Sequence, residues 1–239
     1  MLQAVSVQTV KSDGMRIDVE ASTGDHYHAR AVLVATGSSY RRANVPGEED
    51  LIGAGIHFCA TCDGPFYKGS GELLVLGGGN SGLEEGLFLT QFTDKVRIVE
   101  HNDKLVANRF LQDKVMMHKK MEVLLKHAVK EFKPKDDGSG KLGVVILEDR
   151  ATGKLKELHP AGCFVFIGQD PNTGFLQGMV ELDARRFIAT DEGFLTNVPG
   201  VFAAGDVRSG STKQLASAVG EGAAAAIAIR GYLEKQDRS

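Results

Sequence analysis

Gly77-Gly78-Gly79-Asn80-Ser81-Gly82 constrains the fold of this chain more than any other segment. This glycine-x-glycine-x-x-glycine pattern follows an apolar run from Glu72 to Leu76. It precedes a helix predicted from about Ser81 to Phe92, with Leu83, Leu87 and Phe88 on one face. Val96-Arg97-Ile98-Val99 then predicts a second strand. Strand, glycine turn, helix and strand make a βαβ unit, whose strands must run parallel. In that setting Gly77 permits the tight turn, Gly79 lets backbone approach a pyrophosphate, and Gly82 allows close helix–strand packing. Asn80 and Ser81 open the helix, where the dipole and unpaired N–H groups favour phosphate charge. Without the flanking strand and helix, the same residues would read as a surface turn.

Glu100 stands twenty-three positions after Gly77, at the end of the second strand. A carboxylate there hydrogen-bonds an adenosine ribose 2′-OH and repels a 2′-phosphate. The residues that follow, His101, Asn102 and Asp103, supply no arginine pair. The pattern favours NADH over NADPH. Gly53-Ala54-Gly55 has Phe58 where a third glycine belongs, and predicts only a loop.

Cys59-Ala60-Thr61-Cys62-Asp63-Gly64 is the second informative segment. Two thiols at this spacing can lower one pKa near a helix N-terminus and resolve a mixed disulfide intramolecularly. Asp63 could donate or accept the proton as thiolate leaves or attacks. His57, Cys59 and Cys62 could instead supply three zinc ligands, although no second pair completes such a site. A pair of inert buried thiols is the other bland reading. Cys163, inside the apolar run Cys163-Phe164-Val165-Phe166-Ile167-Gly168, reads as a small core residue.

With 239 residues, of which 42% are hydrophobic and 25% charged, the chain can hold one large domain or two modest ones. Its net charge of -3 gives no support for nucleic acid or an anionic membrane as partner. No apolar run nears the roughly 20 residues of a membrane helix, and the start at Met1-Leu2 lacks signal-peptide character. Three cysteines make no disulfide scaffold, so a cytoplasmic location is expected.

Along the chain, Val5, Val7 and Thr9, then Met15, Ile17 and Val19, alternate with period two about a turn at Asp13-Gly14. A further turn at Thr23-Gly24-Asp25 leads to Ala31-Val32-Leu33-Val34, which suits a buried parallel strand and ends at Ala35-Thr36-Gly37. Val45-Pro46-Gly47 reads as a linker. Helix is predicted through Val115 to His118, then a meander with a turn over Lys135 to Gly140. Val201 to Ala204 predicts another buried strand, followed by Gly205-Asp206 and a last helix from about Lys213 to Lys235. The expected architecture is α/β, with a middle domain at 45–169 inserted between 1–44 and 170–239.

Taken as an ordered set, these landmarks resemble the low-molecular-weight thioredoxin reductases. They are Ala35-Thr36-Gly37, Cys59 to Gly64, Gly77 to Gly82, Gly168 with Pro171-Asn172-Thr173, and Gly200 to Val207. The resemblance implies two Rossmann-like, three-layer ββα domains, the NAD(P)H-binding one inserted in a discontinuous FAD-binding one. It implies electron flow from nicotinamide through FAD to the Cys59–Cys62 disulfide, then to thioredoxin or another small dithiol protein. Domain rotation and a homodimer are implied as well. By the same likeness Asp63 is the proton donor, and Thr36, Gly37, Gly205 and Asp206 contact the flavin nucleotide. Lys213, Gln214 and Leu215 match the segment beside the isoalloxazine. Relatives that use NADPH carry a histidine–arginine–arginine run where this chain has Glu100-His101-Asn102. Glu100 with Asn80-Ser81-Gly82 is also similar to the flavoprotein subunit of alkyl hydroperoxide reductase. The family's N-terminal FAD-binding βαβ unit has no counterpart before Ala31, so the FAD domain is expected to be truncated. A flavin-deficient nucleotide-binding or regulatory module, and an NADH-linked reductase of a peroxidase system, stand as alternatives. Which cysteine faces the flavin stays open.

Overall fold

The computed structural model describes residues 3–14, 16–176 and 178–238, so Met15 and the Met1-Leu2 start lie outside the described residues. The chain divides into two compact units, Met1–Ser39 with Gln169–Ser239, and Tyr40–Gly168. It is α/β throughout.

The first unit opens with an antiparallel meander of β1 (Val7–Ser12), β2 (Ile17–Ala21) and β3 (His26–Ala29). The register shifts between Val7 and Thr9. One extra residue reverses which face a strand presents. Val10 is therefore buried with Ile17, while Val7 is exposed, against the alternation expected from sequence. Next come β4 (Val32–Val34) and β5 (Ser38–Tyr40).

The second unit begins with Arg41 donating its N–H to the Gly168 carbonyl. A short helix α1 (Glu48–Leu51) follows. The buried Glu48 carboxylate accepts the N–H groups of Ala43 and Asn44 at 2.9 and 2.7 Å. Val45-Pro46-Gly47 is no linker: the Phe132 N–H donates to the Pro46 carbonyl, and a Cβ on Gly47 would sit 2.0 Å from the Phe132 oxygen. Close packing against a strand fixes this segment inside the unit.

Then come β6 (Ile56–His57), α2 (Ala60–Asp63), β7 (Ser70–Leu76), α3 (Asn80–Leu89), β8 (Thr93–Val99), α4 (Arg109–Met117) and β9 (Met121–Leu124). The meander β10 (His127–Pro134), β11 (Leu142–Asp149) and β12 (Leu155–Leu158) precedes β13 (Gly162–Val165). Five strands form a parallel sheet in the order β6-β13-β7-β8-β9. One of its faces packs Leu74, Leu76, Cys163 and Val165 against Phe132, Leu142, Val145 and Leu147 of the meander. The other packs Leu73, Val75, Val96, Ile98 and Phe164 against Leu83 and Leu89 of α3 and Leu111 and Val115 of α4. Burial on both faces explains why these strands read as continuous apolar runs. Each such buried side chain contributes roughly 1.5–3 kcal/mol relative to exposure.

Helix α3 ends at Leu89, three residues before the expected Phe92. Its buried stripe is Gly82, Leu83, Gly86 and Leu89, leaving Leu87 and Phe88 half-buried. The absent side chain at Gly86 is what seats the helix low, because a Cβ there would meet Ile98 of β8 at 2.9 Å.

The chain closes in the first unit with β14 (Gln169–Pro171), β15 (Val201–Ala203) and helix α5 (Leu215–Gln236). β15 pairs parallel with β4. The core of this unit gathers Val10, Ile17, Val34, Ile188, Val201 and Val207. Among the described residues of α5 only Ala225 is buried, and Leu215, Val219 and Ile227 stand exposed.

Candidate functional site

Within the second unit, the glycine turn lies at the carboxyl end of β7 and leads into α3. Gly77 has φ +114°, and a Cβ there would meet the Phe166 carbonyl oxygen at 2.4 Å. Only glycine tolerates both the angle and the approach. A Cβ on Gly82 would stand 2.0 Å from the Gly77 oxygen, so the helix packs directly on its own turn. Gly79, the N-cap of α3, faces open space: its nearest neighbour would be Val106 at 3.9 Å. No side chain caps this helix. Its first N–H groups are thus disposed toward an anion. Asn80 is turned to another task, its Oδ1 accepting the Asn108 N–H at 2.8 Å. Ser81 is exposed in the first turn.

Glu100 is buried just after β8 and braces the turn from below. Its Oε2 accepts the Gly78 N–H at 2.7 Å, while Oε1 accepts the backbone and side-chain N–H groups of Asn102, both at 2.8 Å. His101, largely exposed, places Nδ1 3.1 Å from Oε1. The acidic residue therefore fixes the loop as well as setting its charge, a role that spacing alone did not reveal.

Cys59 and Cys62 are joined in a disulfide, with Cα atoms 5.3 Å apart. Cys59 caps α2, its Sγ accepting the Cys62 N–H at 3.1 Å. Cys59 is half-buried and Cys62 exposed. Cys163 is the buried free thiol of β13, and burial pushes its pKa well up, first by desolvation and then by the Glu48 charge.

Sequence reasoning missed the group that meets Asp63. His57, at the end of β6, sets its Nε2 2.7 Å from the Tyr67 hydroxyl and its Nδ1 3.3 Å from Asp63 Oδ2. Its ring packs on Phe164 at 5.2 Å between centroids. Desolvation lowers the His57 pKa, opposed by the charge and hydrogen bond of Asp63. Desolvation, then the Asp63 charge, pushes Tyr67 up to about 12. Tyr67 reaches its place because residue 162 has no side chain, since a Cβ there would meet the ring and hydroxyl at 2.5–2.6 Å. The one sequence signal was His57 itself, weighed there only as a metal ligand.

In the first unit, Thr36 and Gly37 form a turn clasped by Asn172. Thr36 Oγ1 donates to the Asn172 carbonyl, Asn172 Nδ2 donates to the Thr36 carbonyl, both at 2.8 Å, and the Asn172 N–H donates to Gly37 at 3.0 Å. Asn172, known from sequence only as a landmark, is the organising residue here.

Gly205 and Asp206 follow β15. The Gly205 N–H donates to Glu221 at 2.8 Å, and Arg208 clamps the same carboxylate through Nε and Nη2 at 3.1 and 2.9 Å. The Arg208 hydrogen bond holds Glu221 below the usual carboxylate range. Lys213 Nζ donates to the carbonyls of Asp206 and Arg208 at 2.7 and 2.9 Å and lies over the Phe187 ring at 3.9 Å. Desolvation lowers its pKa. Gln214, the N-cap of α5, is exposed, as is Leu215. Asp206 Oδ1 is buried and makes no hydrogen bond. A buried acceptor in that state calls for a donor. A sugar-alcohol hydroxyl fits, so the residues present suit the ribityl portion of FAD.

Comparison with known proteins meets this geometry. Residues 1–222 match the pyridine nucleotide-disulphide oxidoreductase family. A thioredoxin reductase of Bacillus subtilis is 40% identical over 223 residues, covering 93% of this chain and 69% of that protein. One from Peptoclostridium litorale is 38% identical over 226 residues, 92% of this chain and 70% of the relative. The crystal structure of thioredoxin reductase from Streptococcus pyogenes superposes with TM-score 0.88 at 36% identity, covering 96% of this chain and 74% of that one. That from Giardia duodenalis gives 0.89 at 30%, with the same coverage. The fold and its disulfide are those of a pyridine nucleotide-dependent disulfide oxidoreductase. Within that class the chain belongs to the thioredoxin reductase family of flavoprotein enzymes, which implies FAD and NAD(P)H as cofactors.

Proposed function

We propose that the chain uses NADH, FAD and the Cys59–Cys62 pair to reduce a disulfide in thioredoxin or another small dithiol protein. The observation that carries this reading is the Cys59–Cys62 disulfide, formed on a short helix beside Asp63 in the unit that also holds the glycine turn. Gly77, Gly79, Asn80, Ser81 and Gly82 would hold the nucleotide pyrophosphate at the α3 N-terminus. Thr36, Gly37, Gly205, Asp206, Lys213, Gln214 and Leu215 would border the flavin, with Asp206 Oδ1 accepting a ribityl hydroxyl. FAD, when bound, supplies the step that turns a hydride into an electron pair deliverable to a disulfide.

Electron arrival breaks the sulfur–sulfur bond, and the two sulfurs take up two protons. Asp63, one residue past Cys62, is the group we assign to carry a proton to or from them. The exposed Cys62 and half-buried Cys59 then exchange with a partner disulfide by thiolate attack and intramolecular resolution. The NADH preference rests on Glu100, whose carboxylate is fixed under the turn and would repel a 2′-phosphate. Neither His101 nor Asn102 supplies the arginine that such a phosphate needs. We assign a homodimer in the cytoplasm; among the described residues no helix is long and apolar enough to cross a membrane. Stopped-flow reduction of the FAD-loaded protein tests the nucleotide choice: NADH should react faster, and faster reaction with NADPH would defeat the assignment.

A further inference from the structure

We propose that His57 is the positioning residue for Asp63, holding its carboxylate through Nδ1 while accepting the Tyr67 hydroxyl at Nε2. The inference rests on the disulfide-reductase reading above and adds to it the residue that fixes where the exchanged proton sits.

Hydrogen-bonding capacity assigns the tautomer. An ionised carboxylate only accepts, so the ring nitrogen facing Asp63 must carry the hydrogen. That leaves Nε2 bare, and the tyrosine hydroxyl, 2.7 Å away, donates to it. The Nδ1 to Oδ2 separation of 3.3 Å is a long contact that a movement of a few tenths of an ångström would close. Hydrogen bonds of this kind are often long before a substrate binds.

The arrangement is built rather than incidental. The His57 side chain is 11% exposed, and its ring is held between Phe164 of β13 and Tyr67. Tyr67 in turn needs the bare backbone of Gly162. Three elements thus converge on the imidazole: α2 brings Asp63, the 3-10 turn Gly64–Tyr67 brings Tyr67, and β13 brings Phe164. Of the titratable groups facing it, Tyr67 is pushed upward by burial and stays uncharged at neutral pH. Burial lowers the imidazole pKa, favouring its neutral form, while the Asp63 contact opposes that shift.

As the reduced pair attacks a partner disulfide, one enzyme–partner bond forms and the partner's first sulfur leaves as thiolate and takes a proton. The second enzyme thiol gives up its proton and attacks the mixed disulfide; the enzyme–partner bond breaks, the partner's second sulfur leaves as thiolate and takes a proton, and the Cys59–Cys62 bond is restored. Two electrons and two protons have moved from enzyme to partner. Asp63, the residue after Cys62, can accept the proton of the attacking thiol and pass it on only while its carboxylate keeps one orientation. The Nδ1–H of His57 spreads that carboxylate's charge and fixes its direction. With the donor removed, the full charge beside the sulfurs disfavours a second negative charge, and the thiol pKa rises.

The test needs no flavin. The chain is reduced with dithiothreitol, and iodoacetamide alkylation of Cys59 and Cys62 is followed by mass spectrometry from about pH 5 to 10. His57→Phe keeps the ring packing and removes the Tyr67 hydrogen bond and the Asp63 contact. It should slow alkylation of the more reactive thiol about three- to tenfold at pH 7, with the profile displaced upward by about half to one pH unit. His57→Gln places its amide toward Tyr67 and should behave likewise. His57→Asn places its amide where Nδ1 stands and should restore the wild-type profile. Circular dichroism melts show that each variant is folded; should His57→Phe fail to fold, the Asn and Gln pair decides. Unchanged profiles in folded His57→Phe or His57→Gln would overturn the inference, since a packing role alone would lower the melting temperature without moving thiol ionisation. NADH-driven reduction of thioredoxin by the wild-type, FAD-loaded chain is run alongside. Its absence would overturn the reductase reading itself, an outcome separate from the alkylation comparison.

Discussion

Replacing Gly82 with alanine sets a methyl group 2.0 Å from the Gly77 carbonyl oxygen. Ordinary carbon–oxygen contacts lie near 3.3 Å or beyond, so the turn or the helix must move by about 1 Å. Overpacking of that kind costs about 1–3 kcal/mol, offset by about 1 kcal/mol from alanine's better helix propensity. The expected net loss is about 0–2 kcal/mol, with NADH affinity falling tenfold or more because the displaced turn carries the phosphate-facing N–H groups. Gly79→Ala is the matched control. Its backbone, φ −84° and ψ 179°, suits any residue, and its methyl would meet only Val106 at 3.9 Å. Stability should stay within about 0.5 kcal/mol of wild type. The methyl would nevertheless stand where a pyrophosphate approaches the helix, weakening NADH about tenfold, or about 1.4 kcal/mol. Urea unfolding followed by circular dichroism gives the first quantity, and nucleotide fluorescence titration the second. Wild-type NADH affinity in Gly79→Ala would refute the idea that this turn cradles phosphate.

Cys59→Ser should abolish reduction of a protein disulfide in an NADH-coupled assay while leaving nucleotide affinity intact; full-rate turnover would remove the dithiol from the mechanism. Asp206→Ala should lower FAD retention on gel filtration, read as the flavin absorbance that co-elutes, because the unpaired Oδ1 acceptor is lost. The Arg208–Glu221 pair makes stability acid-sensitive. With Glu221 depressed in the folded state, its contribution is present above the unfolded carboxylate pKa and disappears as pH falls through the lower folded value. Glu221→Gln should therefore destabilise the protein near pH 7 and flatten the fall of melting temperature as pH drops below the unfolded carboxylate value, as calorimetry would show.

The parts legible in sequence were those whose signal is local. The glycine turn carries its own reason, since Gly77 needs a positive φ and Gly82 needs a missing side chain. Strands β7, β8 and β13 were readable because burial on both faces demands unbroken apolar runs. Where two elements had to be known at once, sequence said less. The linker reading at Val45-Pro46-Gly47 failed because proline and glycine mark turns equally well inside a packed unit, and only Phe132 decides. The exposed Val7 escaped notice because a bulge, invisible in composition, reverses the strand's faces. His57, Tyr67 and Gly162 meet through β6, the 3-10 turn and β13, so no spacing rule joins them. Asn172 clasps the Thr36-Gly37 turn across 136 positions, beyond any window of local pattern.

The most direct measurement is the redox state of Cys59 and Cys62 after NADH is added without oxygen to the FAD-loaded chain, counted by alkylation and mass spectrometry. Both residues should gain one alkyl group each, with buried Cys163 unlabelled. Loss of flavin colour with the Cys59–Cys62 bond still intact would contradict the account.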